Sequence, residues 1–222
     1  MAMDLAHASN IALHISAGTV AMATGFWMLA TQKGNAAHRK AGRVFAGYTL
    51  LVCASAAAGN IFFRFTPLFA VLTVLVLYQL LSGWHVVYTK NARPNRIDAL
   101  MGTCAMVAGI ALTPLALSRA ESDVHVIYSS LGTLLLLLTY DWIHWLFPRH
   151  WHATLWRYEH MYKLLASLFA MTSAAAGNLL PQAQPWSQLL PSALGIACIG
   201  WFFWRQAAMP LPGESALPSR SN

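Results

Sequence analysis

The sequence predicts an all-α fold: a polytopic membrane helix bundle of seven transmembrane helices, with the N-terminus outside and the C-terminus inside. Three observations predict it. Charged residues make up 9% of the 222 positions, where a soluble domain carries roughly 25%. Mean hydropathy is +0.50. Apolar runs long enough to cross about 30 Å of hydrocarbon as helices recur along the whole chain. Backbone groups in lipid must be satisfied internally, and the strict alternation of barrel strands is absent, so the runs are read as helices.

The runs fall at residues 11–31, 44–63, 67–89, 98–118, 124–147, 159–180 and 188–208. The first, "IALHISAGTVAMATGFWMLAT", holds no formal charge. Immediately after it comes "KGNAAHRKAGRVF" (33–45), the densest cluster of charge in the chain. With the N-terminus outside, the inner segments hold Lys33, Arg39, Lys40, Arg43, Lys90, Arg93, Arg96, Arg149, Arg157, Lys163, Arg205 and Arg220, and the outer ones only Arg64 and Arg119. Basic residues retained on the cytoplasmic side set this orientation. The net charge of +7 is the same asymmetry seen in total. It marks a rim facing a lipid bilayer; no nucleic-acid motif accompanies it, so no nucleic acid is expected as a partner.

No cleavable signal peptide is expected, because Asp4 precedes the first run and a basic n-region is missing. Cys53, Cys104 and Cys198 all fall inside runs, which argues against a disulfide framework. These features fit a bacterial cytoplasmic (inner) membrane. Residues 1–208 read as one transmembrane domain, and the Pro/Ser-rich segment 209–222 as a disordered cytoplasmic tail. The hexapeptide "SAAAGN" occurs at 55–60 and again at 173–178. The same offset pairs Arg39 with Arg157 and Thr49 with Ser167. This suggests a 3+1+3 parallel repeat, 11–89 and 124–208, joined by the helix 98–118. Some transporters are built that way, with the substrate between the halves.

Helical spacing sorts the polar residues into faces. His14, Ala17, Ala21 and Gly25 form one stripe, so His14 is expected to face protein. Tyr78, Ser82 and His85 share a face of the third run; Thr133, Tyr140 and His144 share one of the fifth, beside Asp141; His160, Lys163, Ser167, Ala174 and Asn178 share one of the sixth. Such stripes are costly against lipid and point into a bundle. Lys163 is expected to snorkel to the inner surface, and Asn60 and Asn178 to bond helix to helix.

Depth brings His85, His144 and His160 to one level near the inner face, with His38 in the first inner loop and His150 and His152 nearby. Histidine is the commonest metal ligand and can ligate haem iron axially. The three imidazoles are therefore candidate ligands of haem b or of a transition metal, with Trp84, Trp142, Trp145 and Trp151 as packing partners. His38, Asp141 and Glu159 would orient ring nitrogens from behind, and Tyr78 and Tyr140 would act as hydrogen-bond or electron-relay groups. The outer His14 and His125 are taken as structural: His125 and His144 are nineteen residues apart, about 28 Å along one helix, an awkward reach for two haems in line. No HExxH or CxxC accompanies the histidines.

The segment "LHISAGTVAMATGFWMLATQKGNAAHRKAGRVFAGYTLLVCASAA" (13–57), with His14, His38-Arg39 and Gly42-Arg43, resembles the start of a broad family of small bacterial multi-pass membrane proteins of unknown function. "EHMYKLLASLFAMTSAAAGN" (159–178), opening on His160-Met161, is similar to a late helix of that family. The resemblance implies a helix bundle in a bacterial membrane and no reaction. It does not extend over His85.

The function expected from these residues is electron transfer or quinone-linked redox chemistry at a histidine-lined site near the cytoplasmic face, with a quinone or a membrane redox protein as partner. The alternatives are a proton-coupled carrier of a small solute or metal, in which the same histidines relay protons, and a non-catalytic subunit of a membrane complex. No residue is assigned a catalytic role, and whether the protein is an enzyme is left open.

Overall fold

The computed structural model describes residues 5–90, 92, 94–118, 124–147 and 155–208. Within these the chain is all-helical: α1 (Leu5–Ala30), α2 (Ala36–Ala58, continued by one wide π turn, Gly59–Phe63), α3 (Pro67–Thr89), α4 (Arg96–Ser118), α5 (Val124–Leu146), α6 (Leu155–Leu179) and α7 (Trp186–Ala207). Every apolar run expected from the sequence is a helix, with ends extended by up to eight residues into polar sequence. Six of the seven are long and apolar enough to cross a membrane. The exception is α6, whose first half carries Arg157, Glu159 and Lys163.

Local chemistry sets the helix ends at the basic side of the bundle. Gly34 adopts a positive φ of 81°, a conformation open to glycine without strain. Asn35 then caps α2, its side-chain oxygen accepting from the His38 N–H at 2.7 Å. Lys33 donates to the Met28 and Leu29 carbonyls at 2.5 and 3.1 Å, a cation on the negative end of α1. Partial burial holds its ammonium pKa below the ordinary lysine value. At α4 the cap is reciprocal: Asn95 accepts from the N–H groups of Ile97 and Asp98 at 2.8 and 3.3 Å, and Asp98 accepts from the Asn95 N–H at 2.8 Å.

The bundle core centres on α3. One apolar cluster joins α1, α2, α3 and α6 through Ala21, Phe45, Val52, Leu80 and Leu168. Two further clusters join α3 to α4 and α5, one around Leu75, Ala105 and Leu138, the other around Val71, Ala116 and Ile127. The outward surface is Leu, Ile, Phe and Trp, as suits lipid. α6 packs along α3, α7 and part of α1, which is why its polar residues are tolerated: Glu159 is 3% exposed and Lys163 4%. Asn60 and Asn178 bond within their own segments, Asn60 to the Ala56 carbonyl and the Thr66 N–H, and Asn178 to the Ala174 carbonyl. The expectation that they tie helix to helix is corrected: each carbonyl lies one turn back on the same helix and captures the amide. The expected tail, 209–222, lies outside the described residues.

Small residues permit the closest approaches. A Cβ at Gly83 would lie 2.7 Å from the Lys163 Cβ, an atom fixed to the α6 backbone. Gly47 has open space around it. Gly83→Ala is expected to destabilise the bundle by about 1–3 kcal/mol through forced separation of α3 and α6, and Gly47→Ala to be neutral or slightly stabilising. Thermal or detergent unfolding of the two variants checks this; equal stabilities would contradict the tight α3–α6 seam.

Candidate functional site

At the end of the bundle where α3 and α5 finish and α4 and α6 begin, a cleft opens between these four helices. The chain has seven acidic residues, of which three, Asp98, Asp141 and Glu159, are among the described residues. All three line this cleft. None stands alone.

Asp141, on α5, receives Lys163 of α6 on both oxygens, at 2.7 and 2.8 Å. It also receives the Tyr78 hydroxyl of α3 at 2.5 Å. Three helices thus meet on one carboxylate. A bidentate, nearly buried pair of this kind is retained when its remaining hydrogen-bonding sites are filled, and the Tyr78 O–H fills one. The expectation that Lys163 snorkels to the surface is corrected. The ammonium is buried because a carboxylate faces it across the α5–α6 boundary and accepts from it on both oxygens.

Glu159, on α6, accepts from the Tyr140 hydroxyl at 2.7 Å and meets His144 Nδ1 at 2.8 Å, both on α5. His85, on α3, meets the Asp98 carboxylate at 2.8 Å through Nδ1. His160, on α6, donates Nδ1–H to the Gly83 carbonyl of α3 at 2.9 Å. The two helices pack tightly at Gly83, where a Cβ would lie 2.7 Å from that of Lys163, and the missing side chain leaves the carbonyl open to the ring.

The sequence-derived residues therefore divide. His144, Asp141, Glu159 and Tyr78 line one cleft; His85 reaches it only through its contact with Asp98, and Tyr140 lies behind it on Glu159. His160 is not on that lining; its ring turns to the Gly83 carbonyl of α3. His38 is half-buried on α2, and it is Gly83, not His38, that holds the His160 Nδ1. The His38 Nδ1 is buried with no partner. Of the two carboxylates expected to orient imidazoles, Glu159 holds one. Asp141 holds none, because the lysine and the tyrosine take its oxygens. The carboxylate that orients His85 is Asp98, which the sequence reading placed only at the start of a helix. Its signal was the cap Asn95-Arg96-Ile97-Asp98, which fixes the carboxylate one loop away from His85.

On the opposite end His14 faces protein as expected, its Nδ1 2.9 Å from Ser55 Oγ, and Asn10 donates to the Ser55 carbonyl at 3.1 Å. His125 is exposed. Trp142 lines the cleft and stands T-shaped to Trp145 at 5.6 Å, while Trp84 donates to the Tyr88 hydroxyl at 3.2 Å. His150, Trp151 and His152 lie outside the described residues. Among the described residues no three His, Cys, Asp or Glu side chains are grouped to hold a metal ion. Chemically, the cleft is a set of hydrogen-bonded donors and acceptors, two carboxylate–imidazole pairs and one carboxylate–ammonium pair, that can take up, hold and hand on protons.

No family model matches the chain, and neither a curated protein nor a solved structure is significantly similar to it.

Burial ranks the pairs. Glu159→Ala strips His144 and Tyr140 of a buried acceptor, and a loss of about 2–3 kcal/mol in unfolding free energy is expected. Asp98 is more open, 26% exposed in its side chain against 3% for Glu159. Asp98→Ala is expected to lose about 1 kcal/mol, mostly from the α4 cap. Reversible denaturation of the two variants checks the order, and a larger loss for Asp98→Ala would contradict it.

Proposed function

We propose that this protein is a seven-span inner-membrane carrier that binds a small solute in the α3–α6 cleft and couples its passage to protons. One observation carries the reading: every acidic residue among the described residues converges on a single cleft, and each is engaged by an imidazole, an ammonium or a phenol. Ionisable groups inside a membrane bundle are expensive and mark pathways for protons and substrates. In this reading α6 is the seventh span, its charges accepted because α3, α5 and α7 enclose them. The basic residues of the loops at this end support a mouth on the cytoplasmic side. The resemblance of residues 13–57 and 159–178 to small bacterial membrane proteins supports a bacterial inner membrane. The reading does not lean on two equal halves: α1 lies along α2, whereas α5 packs on α3 and α4.

Protonation moves charge within the site as follows. A proton arriving on Glu159 leaves His144 and Tyr140 facing a neutral acid, and one arriving at Asp141 releases Lys163. Either event loosens α5 from α6, the seam through which a solute would pass. In proteoliposomes holding a pH-sensitive dye and supplied with a panel of small charged and uncharged solutes, the wild-type protein is expected to dissipate an imposed pH gradient faster than empty vesicles in the presence of at least one solute. Glu159→Gln, which keeps the shape and removes the titratable group, is expected to slow this by about tenfold or more. A wild-type rate equal to that of empty vesicles with every solute would contradict the carrier reading.

A second reading has an observation of its own. His85, His144 and His160 each engage an oxygen through Nδ1, the arrangement that leaves Nε2 as the ligating nitrogen in metal and haem sites. Under it one or two of these imidazoles would ligate haem b or a transition metal for electron transfer or quinone-linked redox chemistry. The purified protein would then show a Soret band that sharpens on reduction, or bound metal by elemental analysis, lost in His85→Ala or His144→Ala. A colourless, metal-free preparation that conducts protons would decide for the carrier.

A further inference from the structure

The outward face of α2 grades from charge to hydrocarbon. Lys40, Arg43, Val44, Gly47, Tyr48 and Leu51 stand at i, i+3, i+4, i+7, i+8 and i+11, the spacing of one helical stripe. The first five are exposed and Leu51 is half-buried. Ala41, Phe45, Ala46 and Thr49, between them in sequence, are buried against the bundle. Arg43, Val44, Gly47, Tyr48 and Leu51 bound an open groove of about 380 Å³. Gly47 keeps it open: a Cβ added there would meet no atom within 4 Å.

The cations at the head of this groove have no counter-charge in the protein. Among the described residues, Lys40 and Arg43 make no hydrogen bond or ion pair. The three described acidic residues line the α3–α6 cleft, to which α2 contributes nothing. No acidic residue sits in the first turn of α2, so the positive end of its dipole and these cations add. Arg39, by contrast, spends an N–H on the Gly34 carbonyl at 2.7 Å.

We propose that the groove binds an anionic glycerophospholipid from the leaflet at this end of the bundle. Its phosphate sits on Arg43 and Lys40, and an acyl chain lies over Gly47 between Val44, Tyr48 and Leu51. Length, order and charge select this occupant. From Lys40 to Leu51 the face runs about 16 Å along the helix, close to the depth of one hydrocarbon leaflet, about 15 Å. The cations lie at the basic end of the bundle and the apolar residues towards its middle, the order of a lipid's head and tail. The planar guanidinium matches a phosphate, and the amphipathic Tyr48 ring suits the zone between headgroup and chain. A soluble phosphate would leave the groove unused. A second copy, related by an axis along the membrane normal, would set its own Lys40 and Arg43 against these. The proposal stands independently of the carrier reading.

Native mass spectrometry of the detergent-solubilised full chain tests it, with phosphatidylglycerol and phosphatidylcholine of identical chains as the lipids titrated. Lys40→Gln combined with Arg43→Gln removes the cations, and Gly47→Leu fills the groove. Arg205→Gln, at an exposed cation near the end of α7, is the control. All the substituted positions are exposed, so folding is not at stake. The wild type and Arg205→Gln are expected to bind the first phosphatidylglycerol about tenfold or more tighter than phosphatidylcholine. The double charge variant is expected to lose that preference, and Gly47→Leu to weaken phosphatidylglycerol binding about threefold or more. Glycerol phosphate, a headgroup without chains, is expected not to displace the lipid at equal concentration. Equal affinity of the wild type for the two lipids, the same loss in Arg205→Gln, unchanged binding in Gly47→Leu, or displacement by glycerol phosphate would each overturn the proposal. A dimer that Gly47→Leu disperses with lipid affinity unaltered would also overturn it and give the face to a second copy.

Discussion

The fold and the site both turn on one ion pair. Lys163 enters the bundle on α6, and Asp141 meets it with both oxygens from α5 while Tyr78 of α3 donates to the same carboxylate. Without that carboxylate an ammonium 4% exposed would be buried without its ion-pair partner, at a cost of several kcal/mol. With it, α6 can carry Glu159 and Lys163 into the centre of the molecule. The polar half of α6 then becomes the back wall of the cleft rather than a helix expelled to the surface. The same constraint explains why α6 is the one helix too polar to qualify as a span by composition. Its neighbours supply the environment that lipid would not.

A second constraint is steric. α3 and α6 approach closely enough that Gly83 cannot carry a side chain without a shift. That closeness lets His160 reach the Gly83 carbonyl. It also sets Lys163 at the depth at which Asp141 lies. A Cβ at Gly102, facing Trp142 across α4 and α5, would make only ordinary contacts, the nearest at 3.5 Å, and Gly47 faces open space. Gly83 is thus the glycine that shapes the polar geometry.

Much of the architecture was legible in the sequence because lipid imposes a coarse rule: each long apolar run is a helix. The polar stripes were legible for the same reason, since Tyr78, His85, Asp141, His144 and Glu159 could not face acyl chains. Partner choice was not legible. Sequence spacing locates a residue on its own helix but leaves free the rotation and depth of the neighbouring helices. Asp98 was read as a helix start and proved also to be the partner of His85. Lys163 was read as snorkelling because its four-carbon stem allows that, and nothing local shows that a carboxylate on α5 lies opposite. His160 left the group because a glycine carbonyl on α3, invisible as a side-chain signal, captured its ring.

The most direct test of the central ion pair is a double-mutant cycle on Asp141 and Lys163, with Asp141→Asn, Lys163→Met and the double variant unfolded reversibly in mixed micelles. The account predicts that each single change destabilises by about 3 kcal/mol, and that the double variant is less destabilised than the two losses added, with a coupling energy of about 2 kcal/mol. Additive losses, with no coupling, would show that the two side chains do not hold α5 to α6, and the cleft built on that pair would have to be abandoned.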